Sequence, residues 1–181
     1  MKRRIFPAIT ASLLLAGLTG QTHAATGDSV AVNITITVTA PTCEFDKLSD
    51  TVQLDTVRVE DFTKGDRIVG IKDVPVSITC NNLDAVKIKA TGVPAYSSRS
   101  PAVTDTTLFH NTGTAKNIGL AFMDASNNPL SSADGNNSVV VTPTEGKATY
   151  VFKAGYGAIQ AGGGVSGGSF QSSVNLTFNY E

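Results

Sequence analysis

The 181-residue sequence predicts an all-β protein, and three observations support this prediction. Apolar residues recur at every second position in several segments, as they do in half-buried strands. No stretch of a dozen residues holds the 3.6-residue apolar period of a helix. Clusters of Gly, Asn, Asp and Pro, which form turns, separate the alternating segments. Short strands at this spacing, with loops compatible with Greek-key connections, favour an immunoglobulin-like sandwich.

The first 24 residues differ from the rest and predict a secretory signal peptide. Lys2, Arg3 and Arg4 precede an apolar run that includes residues 13–16, and a small residue, Ala24, follows where a signal peptidase would cut. The apolar run is too short to span a bilayer stably. We therefore expect an exported chain, processed after Ala24.

The remaining chain contains the alternating segments that we assign to strands. The predicted strands are Val30 to Val38, Val52 to Val59, Ile68 to Cys80 with a break near Pro75, Val86 to Ala90, Asn117 to Met123, Val139 to Val141, Ala148 to Ala154 and Phe170 to Tyr180. The run from Gly155 to Gly168 is predicted to be a flexible loop. It has neither the glycine pattern of a phosphate-binding loop nor a helix after it.

Both ends of the exported chain carry a strand with one apolar face. The last strand places its apolar residues at alternate positions, with Ser172 as a single gap: Phe170, Val174, Leu176, Phe178 and Tyr180. The first strand alternates in the same way through Val30, Val32, Ile34, Ile36 and Val38. Such strands have one face in a core and the other in water. Pro41, which cannot donate a ladder hydrogen bond, separates the first strand from the rest.

Cys43 and Cys80 are the only cysteines. An exported chain passes through an oxidising compartment, so we predict one disulfide between them. Two buried free thiols are the alternative.

Composition and motifs argue against several functions. Without the three basic residues of the signal segment, 11 of the 14 Lys and Arg remain against 15 Asp and Glu, a net charge near −4, which does not favour nucleic-acid binding. His110 is predicted to be an exposed loop residue rather than a catalyst. Asp124 and Asp134 lie among Asn, Ser and Gly, where turn formation is favoured over calcium binding. We expect no enzyme, no metal site and no cofactor.

Four features together resemble the subunits of chaperone–usher fimbriae. An alternating extension precedes the first cysteine in TVTAPTC, and the second cysteine closes a strand in VPVSITC. Gly168 is the fourteenth residue from the C-terminus, and Tyr180 is the penultimate residue. The segment HNTGTAKNIGLAFMDASNNPL is also similar to the corresponding part of minor tip subunits of type 1 fimbriae.

The resemblance implies an incomplete immunoglobulin-like sandwich that lacks its C-terminal strand. Residues 25–40 would be a donor-strand extension and residues 41–181 the pilin domain. A periplasmic chaperone would first fill the groove left by the missing strand, and the extension of the next subunit would replace it at the outer-membrane usher. The chaperone would bind the groove-edge strand that starts at Gly168, and the terminal carboxylate of Glu181.

In this interpretation the five apolar residues of the extension cover the core of a neighbouring subunit, by strand addition. Pilins of this kind often carry a glycine at the position of Ile36, which leaves the register of the extension open. The expected function is that of a minor tip or adaptor subunit in a fimbrium at the cell surface, contributing to adhesion.

Three alternatives remain open. The first and last strands could belong to a closed sandwich and pair within one chain. The chain could be a major rod pilin of the same class. It could also be a self-contained surface sandwich that binds a sugar or a receptor, although the sequence has no Trp and only the scattered Tyr96 and Tyr156 as aromatic candidates.

Overall fold

The computed structural model describes residues 30–38, 43–45, 49–64, 67–80, 85–97, 103–159 and 164–180, which form two packed β-sheets. The signal segment lies outside the described residues, as does Glu181. The strands are β1 (Val30–Val38), β2 (Cys43–Phe45), β3 (Ser49–Leu54), β4 (Ile68–Cys80), β5 (Val86–Thr91), β6 (Pro94–Tyr96), β7 (Thr104–His110), β8 (Ile118–Met123), β9 (Ser138–Val141), β10 (Lys147–Ala158) and β11 (Gln171–Tyr180). A 3₁₀ turn, Val59–Lys64, follows β3. The all-β sandwich predicted from the alternation is confirmed.

One sheet has five strands in the order β3-β1-β11-β5-β9, and the other has six in the order β2-β4-β10-β8-β7-β6. Strand β1 runs parallel to β11 and antiparallel to β3. The other pairs of neighbouring strands in the described sheets are antiparallel. Strand β3 is joined to its sheet through β1, so that β1 bridges two parts of the sheet.

The core lies between the two sheets and combines aliphatic side chains with several phenylalanines. Phe109, Phe122, Phe152 and Phe178 are fully buried. The rings of Phe122 and Phe152 stack with centroids 4.9 Å apart, and the ring of Phe109 meets Phe122 edge-on at 6.3 Å. Offset and edge-to-face pairs of this kind add to the stabilisation from burial itself.

The last strand follows its predicted alternation. The side chains of Phe170, Val174, Leu176 and Phe178 are buried, and Ser172 is buried among them. The backbone of Tyr180 pairs with Val86 in β5. On the side of β11 away from β5, the neighbouring strand in the sheet is β1, the first strand in chain order.

The predictions for β3 and β4 are wrong in part. The strand expected over Val52 to Val59 is Ser49–Leu54, and the 3₁₀ turn after it begins with a hydrogen bond from Arg58 N–H to Asp61 Oδ2, 2.9 Å. The break expected near Pro75 does not occur, and β4 is continuous. In the part of the chain that the structure describes, β2 pairs with β4 from Ile78 to Cys80, so this ladder does not require an N–H donor at Pro75.

Strands β2, β6 and β7 were not predicted, and the glycine-rich run is only partly a loop. Gly155 and Gly157 lie inside β10. A Cβ at Gly157 would collide with the side chain of Leu108. These glycines therefore permit close packing in a strand, a use that the composition did not distinguish from loop formation.

Candidate functional site

The strand that the sequence singles out, β1, lies between β3 and β11. Its alternation gives one buried and one exposed face. Val32 and Ile34 are 0% and 3% exposed, Ile36 is half-buried and Thr35 is exposed. The side chains of Val30 and Val38 lie outside the described part of the structure, although their backbones pair with Leu54 and Phe178.

The parallel ladder between β1 and β11 brings the two predicted alternating strands into register. Val32 lies beside Ser172, Ile34 beside Val174, Ile36 beside Leu176, and Val38 beside Phe178. Within the single chain, β1 thus covers the chain's own core, as in the alternative of a closed sandwich. Burial of Val32 and Ile34 contributes at most about 3 to 6 kcal/mol, a large share of the roughly 5 to 15 kcal/mol that stabilises a domain.

Packing is loose where β1 approaches β4. A cavity of about 230 Å³ lies there and is lined by Ile34, Ile36, Asp50 and residues 74–77. Ile36, at the position where the resemblance leads us to expect a glycine, has space for its side chain in this register. The register in the single chain therefore accommodates the larger side chain of Ile36.

The predicted disulfide between Cys43 and Cys80 is confirmed. The two cysteines are direct partners in the antiparallel ladder of β2 and β4. The N–H of Cys80 also donates to the carbonyl of Gly146, 2.6 Å away. Cys43 follows Val38 by five residues, so the disulfide fixes the chain just beyond the end of β1.

Gly168, the glycine that the resemblance singles out, makes a close backbone contact. Its φ is +152°, and a Cβ there would lie 2.5 Å from the N of Ala115 and 2.6 Å from Thr114 Oγ1. The neighbouring Ser169 accepts a hydrogen bond from Ala115 N–H and donates its own N–H to Thr114 Oγ1. The segment before β11 is thereby fixed to the loop after β7.

Asn111, which the sequence did not single out, fixes the first residue of β11. Its Oδ1 accepts hydrogen bonds from the N–H groups of Gly113 and Gln171, 2.8 and 2.9 Å away. Its Nδ2 donates to the carbonyl of Ala115. The only sequence signal for this role is the Asn-Thr-Gly turn motif that begins with Asn111.

His110 is not an exposed loop residue, as predicted, but a half-buried residue at the end of β7. Its ring stacks on Tyr96, with centroids 4.5 Å apart. Burial lowers the pKa of His110 below its ordinary value. The two rings border a second cleft of about 230 Å³, which Lys116 and Asn117 also line.

Tyr156, the other aromatic candidate for sugar binding, is buried. Its ring packs edge-on against Phe170, and its hydroxyl donates to the carbonyl of Asp55 at 3.1 Å. Burial, followed by the charge of Asp55, raises the pKa of Tyr156 to about 12. Tyr156 is therefore a core residue that holds β10 against the segment after β3.

Asp124 forms the turn that the sequence predicts. Its Oδ1 accepts hydrogen bonds from the N–H groups of Ser126 and Asn128, both at 2.8 Å. Burial acts to raise the pKa of Asp124, but the side-chain hydrogen bond from Asn128 Nδ2, the two backbone hydrogen bonds and the charge of Lys153 outweigh it and lower the pKa. Among the described residues, no group of three or more His, Cys, Asp and Glu is placed to bind a metal ion.

The described residues include no helix with the length and apolar character needed to cross a membrane.

The sequence matches the profile of the family described as fimbrial protein over residues 32–181. No curated protein matches the sequence at a significant level. The structure is similar to the P pilus rod subunit PapA, with a TM-score of 0.58 and 17% identity, over 78% of this chain and 100% of PapA. It is also similar to the antigen and type I fimbria protein BPSL1626 of Burkholderia pseudomallei, with a TM-score of 0.51 and 22% identity, over 85% of this chain and 98% of that one. This chain shares the sandwich fold with both of these proteins. The profile match over most of the sequence shows that the chain belongs to the fimbrial protein family.

Proposed function

We propose that the chain is a structural subunit of a chaperone–usher fimbria and polymerises by donor-strand exchange. In the fibre, β1 leaves its own groove and enters the groove of a preceding subunit, while another subunit supplies the strand that replaces it. The role is that of a minor tip or adaptor subunit contributing to adhesion, which the resemblance of the segment from His110 to Leu130 favours. The profile match supports membership of the fimbrial protein family.

One observation carries this proposal: a terminal strand with an apolar face bridges β3 and β11 and is held in the described sheet by non-covalent ladders. Exchange of such an element between subunits leaves the rest of the fold unchanged. In its own chain β1 is separated from β2 by only four residues in sequence, and it runs parallel to β11. A strand from another subunit is free to run antiparallel to β11, and antiparallel pairs are slightly more stable per residue.

The same geometry supports a role for a chaperone. Without β1 or a substitute, the edges of β3 and β11 are unpaired and the core beneath Val174 and Leu176 is open to water. Unpaired apolar edges promote aggregation. A periplasmic chaperone that binds along β11, and the terminal carboxylate of Glu181, would protect this edge until the usher promotes exchange.

The test is to disable β1 as a donor in the intact chain. Ile34→Asp places an unpaired charge on the buried face, which is costly in any groove. Thr35→Asp is the matched control, because Thr35 is exposed on the opposite face. Each variant is produced with the other subunits of its fimbria, and its amount is measured in purified fimbriae and in periplasmic complexes with the chaperone.

We expect Ile34→Asp to accumulate with the chaperone and to be absent from fimbriae, and Thr35→Asp to be incorporated like the unmodified chain. Normal incorporation of Ile34→Asp would contradict the donor role of β1. Loss of both variants from the periplasm and from fimbriae would instead indicate that the two substitutions act through folding alone.

The sugar-binding alternative has less support. Of the two aromatic candidates, Tyr156 is buried. In the cleft beside Tyr96, the amide of Asn111 is bonded to the backbone at both ends. The side chain of Asn117 donates to the carbonyl of Gly164 and accepts from Ser97. These polar groups hold the loop and are not directed to a ligand.

A further inference from the structure

Ser172 interrupts the apolar face of β11 and is fully buried. Its hydroxyl has no hydrogen-bond partner in the described structure. A buried hydroxyl without a partner loses its hydrogen bonds to water and gains none in return, so it destabilises the arrangement that buries it. Serine at this position therefore requires an explanation beyond packing.

The strand neighbour of Ser172 in the described sheet is Val32 of β1. On the other side of β11, the ladder with β5 begins at Asn175 and does not reach Ser172. The segment that occupies the groove thus determines whether the hydroxyl finds a partner. Valine, which has no polar atom in its side chain, cannot provide one.

The apolar face of β1 offers the Ser172 hydroxyl no hydrogen-bond partner in any register or direction. Every residue of that face is Val or Ile: Val30, Val32, Ile34, Ile36 and Val38. A second copy of this chain would bring the same five side chains and would leave the hydroxyl unpaired as well. The groove is therefore better matched to a strand with a different sequence.

We propose that Ser172 selects the partner that completes this groove: a donor strand from a different subunit with Thr or Ser among its core-facing residues, next to Ser172. Hydrogen bonds between Thr and Ser on neighbouring strands are a known source of cross-strand stabilisation. The inference rests on strand donation and adds to it that the neighbour is not a second copy of this chain. It also favours the exchanged state, because the incoming strand makes a hydrogen bond to Ser172 that β1 does not make.

The first test uses the intact mature chain. Thr has nearly the shape of Val, with a hydroxyl in place of one methyl group, so Val32→Thr is made with Ser172 present and in a Ser172→Ala background. We expect Val32→Thr to lower the folding equilibrium constant at least fivefold more in the Ser172→Ala background. Val86→Thr, at an equally buried valine beside Tyr180, is the control and should show no dependence on Ser172. Equal effects of Val32→Thr in both backgrounds would overturn the proposal.

The second test offers donor peptides to the unmodified chain. The peptides have the sequence of residues 29–39, unchanged or with Thr at one of the five apolar positions. They are present at millimolar concentration during refolding, because the chain's own tethered segment competes at a similar effective concentration. The captured peptides are quantified by mass spectrometry. Scanning all five positions avoids any assumption about the direction of the bound strand.

We expect one Thr-containing peptide to be captured at least fivefold more than the unchanged peptide, and this preference to disappear with the Ser172→Ala chain. Equal capture of all peptides would overturn the selection by Ser172 and leave strand donation intact. If the chain refolds and captures no peptide, strand donation itself is contradicted, and the partner assignment with it. These outcomes separate the failure of this inference from the failure of the proposed function.

Discussion

Ile34 of β1 lies beside Val174 of β11, and both side chains are buried in the core. We expect Ile34→Ala to lower the free energy of unfolding of the monomer by about 2 to 5 kcal/mol, as for other buried Ile side chains that are cut back to Ala. Thr35→Ala, one residue away on the exposed face, should change it by less than about 0.5 kcal/mol. Urea unfolding of both variants measures the difference. Equally small effects would mean that β1 does not cover the core of the monomer.

Gly168→Ala should be strongly destabilising. The new Cβ would lie 2.5 Å from the backbone N of Ala115, and the φ of +152° is unfavourable for alanine. We expect a loss of about 1 to 3 kcal/mol, typical of overpacking. Gly167→Ala is the matched control, because a Cβ there meets nothing within 4 Å. Thermal unfolding compares the two, and equal melting temperatures would contradict the close contact.

Removal of the disulfide should destabilise the monomer through its unfolded state. The bond joins residues 37 positions apart, for which the chain-entropy account gives about 4 kcal/mol. A chain with Ala at Cys43 and Cys80 should unfold at lower denaturant concentration and be less abundant in the periplasm. Unfolding of the oxidised and reduced forms of the unmodified chain provides an independent measurement. Unchanged midpoints in both comparisons would show that the bond is dispensable.

His110 should make stability depend on pH. Burial lowers its pKa in the folded state, so the folded protein binds this proton less readily than the unfolded chain. The contribution of neutral His110 is complete above its ordinary pKa of 6.5 and is lost as the pH falls through the lower, folded value. His110→Phe, which keeps a ring beside Tyr96, should lose less stability between pH 7 and pH 5. Parallel pH profiles for the two proteins would contradict this.

The strands with regular alternation could be predicted from the sequence. The limits of β1 and β4 agree with the structure residue by residue, and β11 begins one residue later than expected. Strand β7 was missed because its first half is polar and its buried Leu108 and Phe109 are consecutive, which breaks the two-residue period. Strand β10 was predicted too short, because Gly155 and Gly157 suggested a loop.

The candidate site was only partly predictable for a related reason. Alternation shows which residues of β1 are buried, but it carries no information on which groove buries them. Ser172 could be recognised as a gap in an apolar face. That its hydroxyl lacks a partner depends on the neighbouring strand, which is set by tertiary pairing. The contact between Tyr96 and His110 likewise depends on the tertiary pairing of β6 with β7.

The position of the disulfide also has a mechanical meaning. Cys43 lies just beyond β1 and is covalently joined to β4, an inner strand of the other sheet. A pulling force applied through β1 would reach Cys43 first. The disulfide would then transmit it to β4 and to the ladder between β4 and β10. The short β2 would then bear little load, and a subunit stretched between two neighbours would resist unravelling from its N-terminal side.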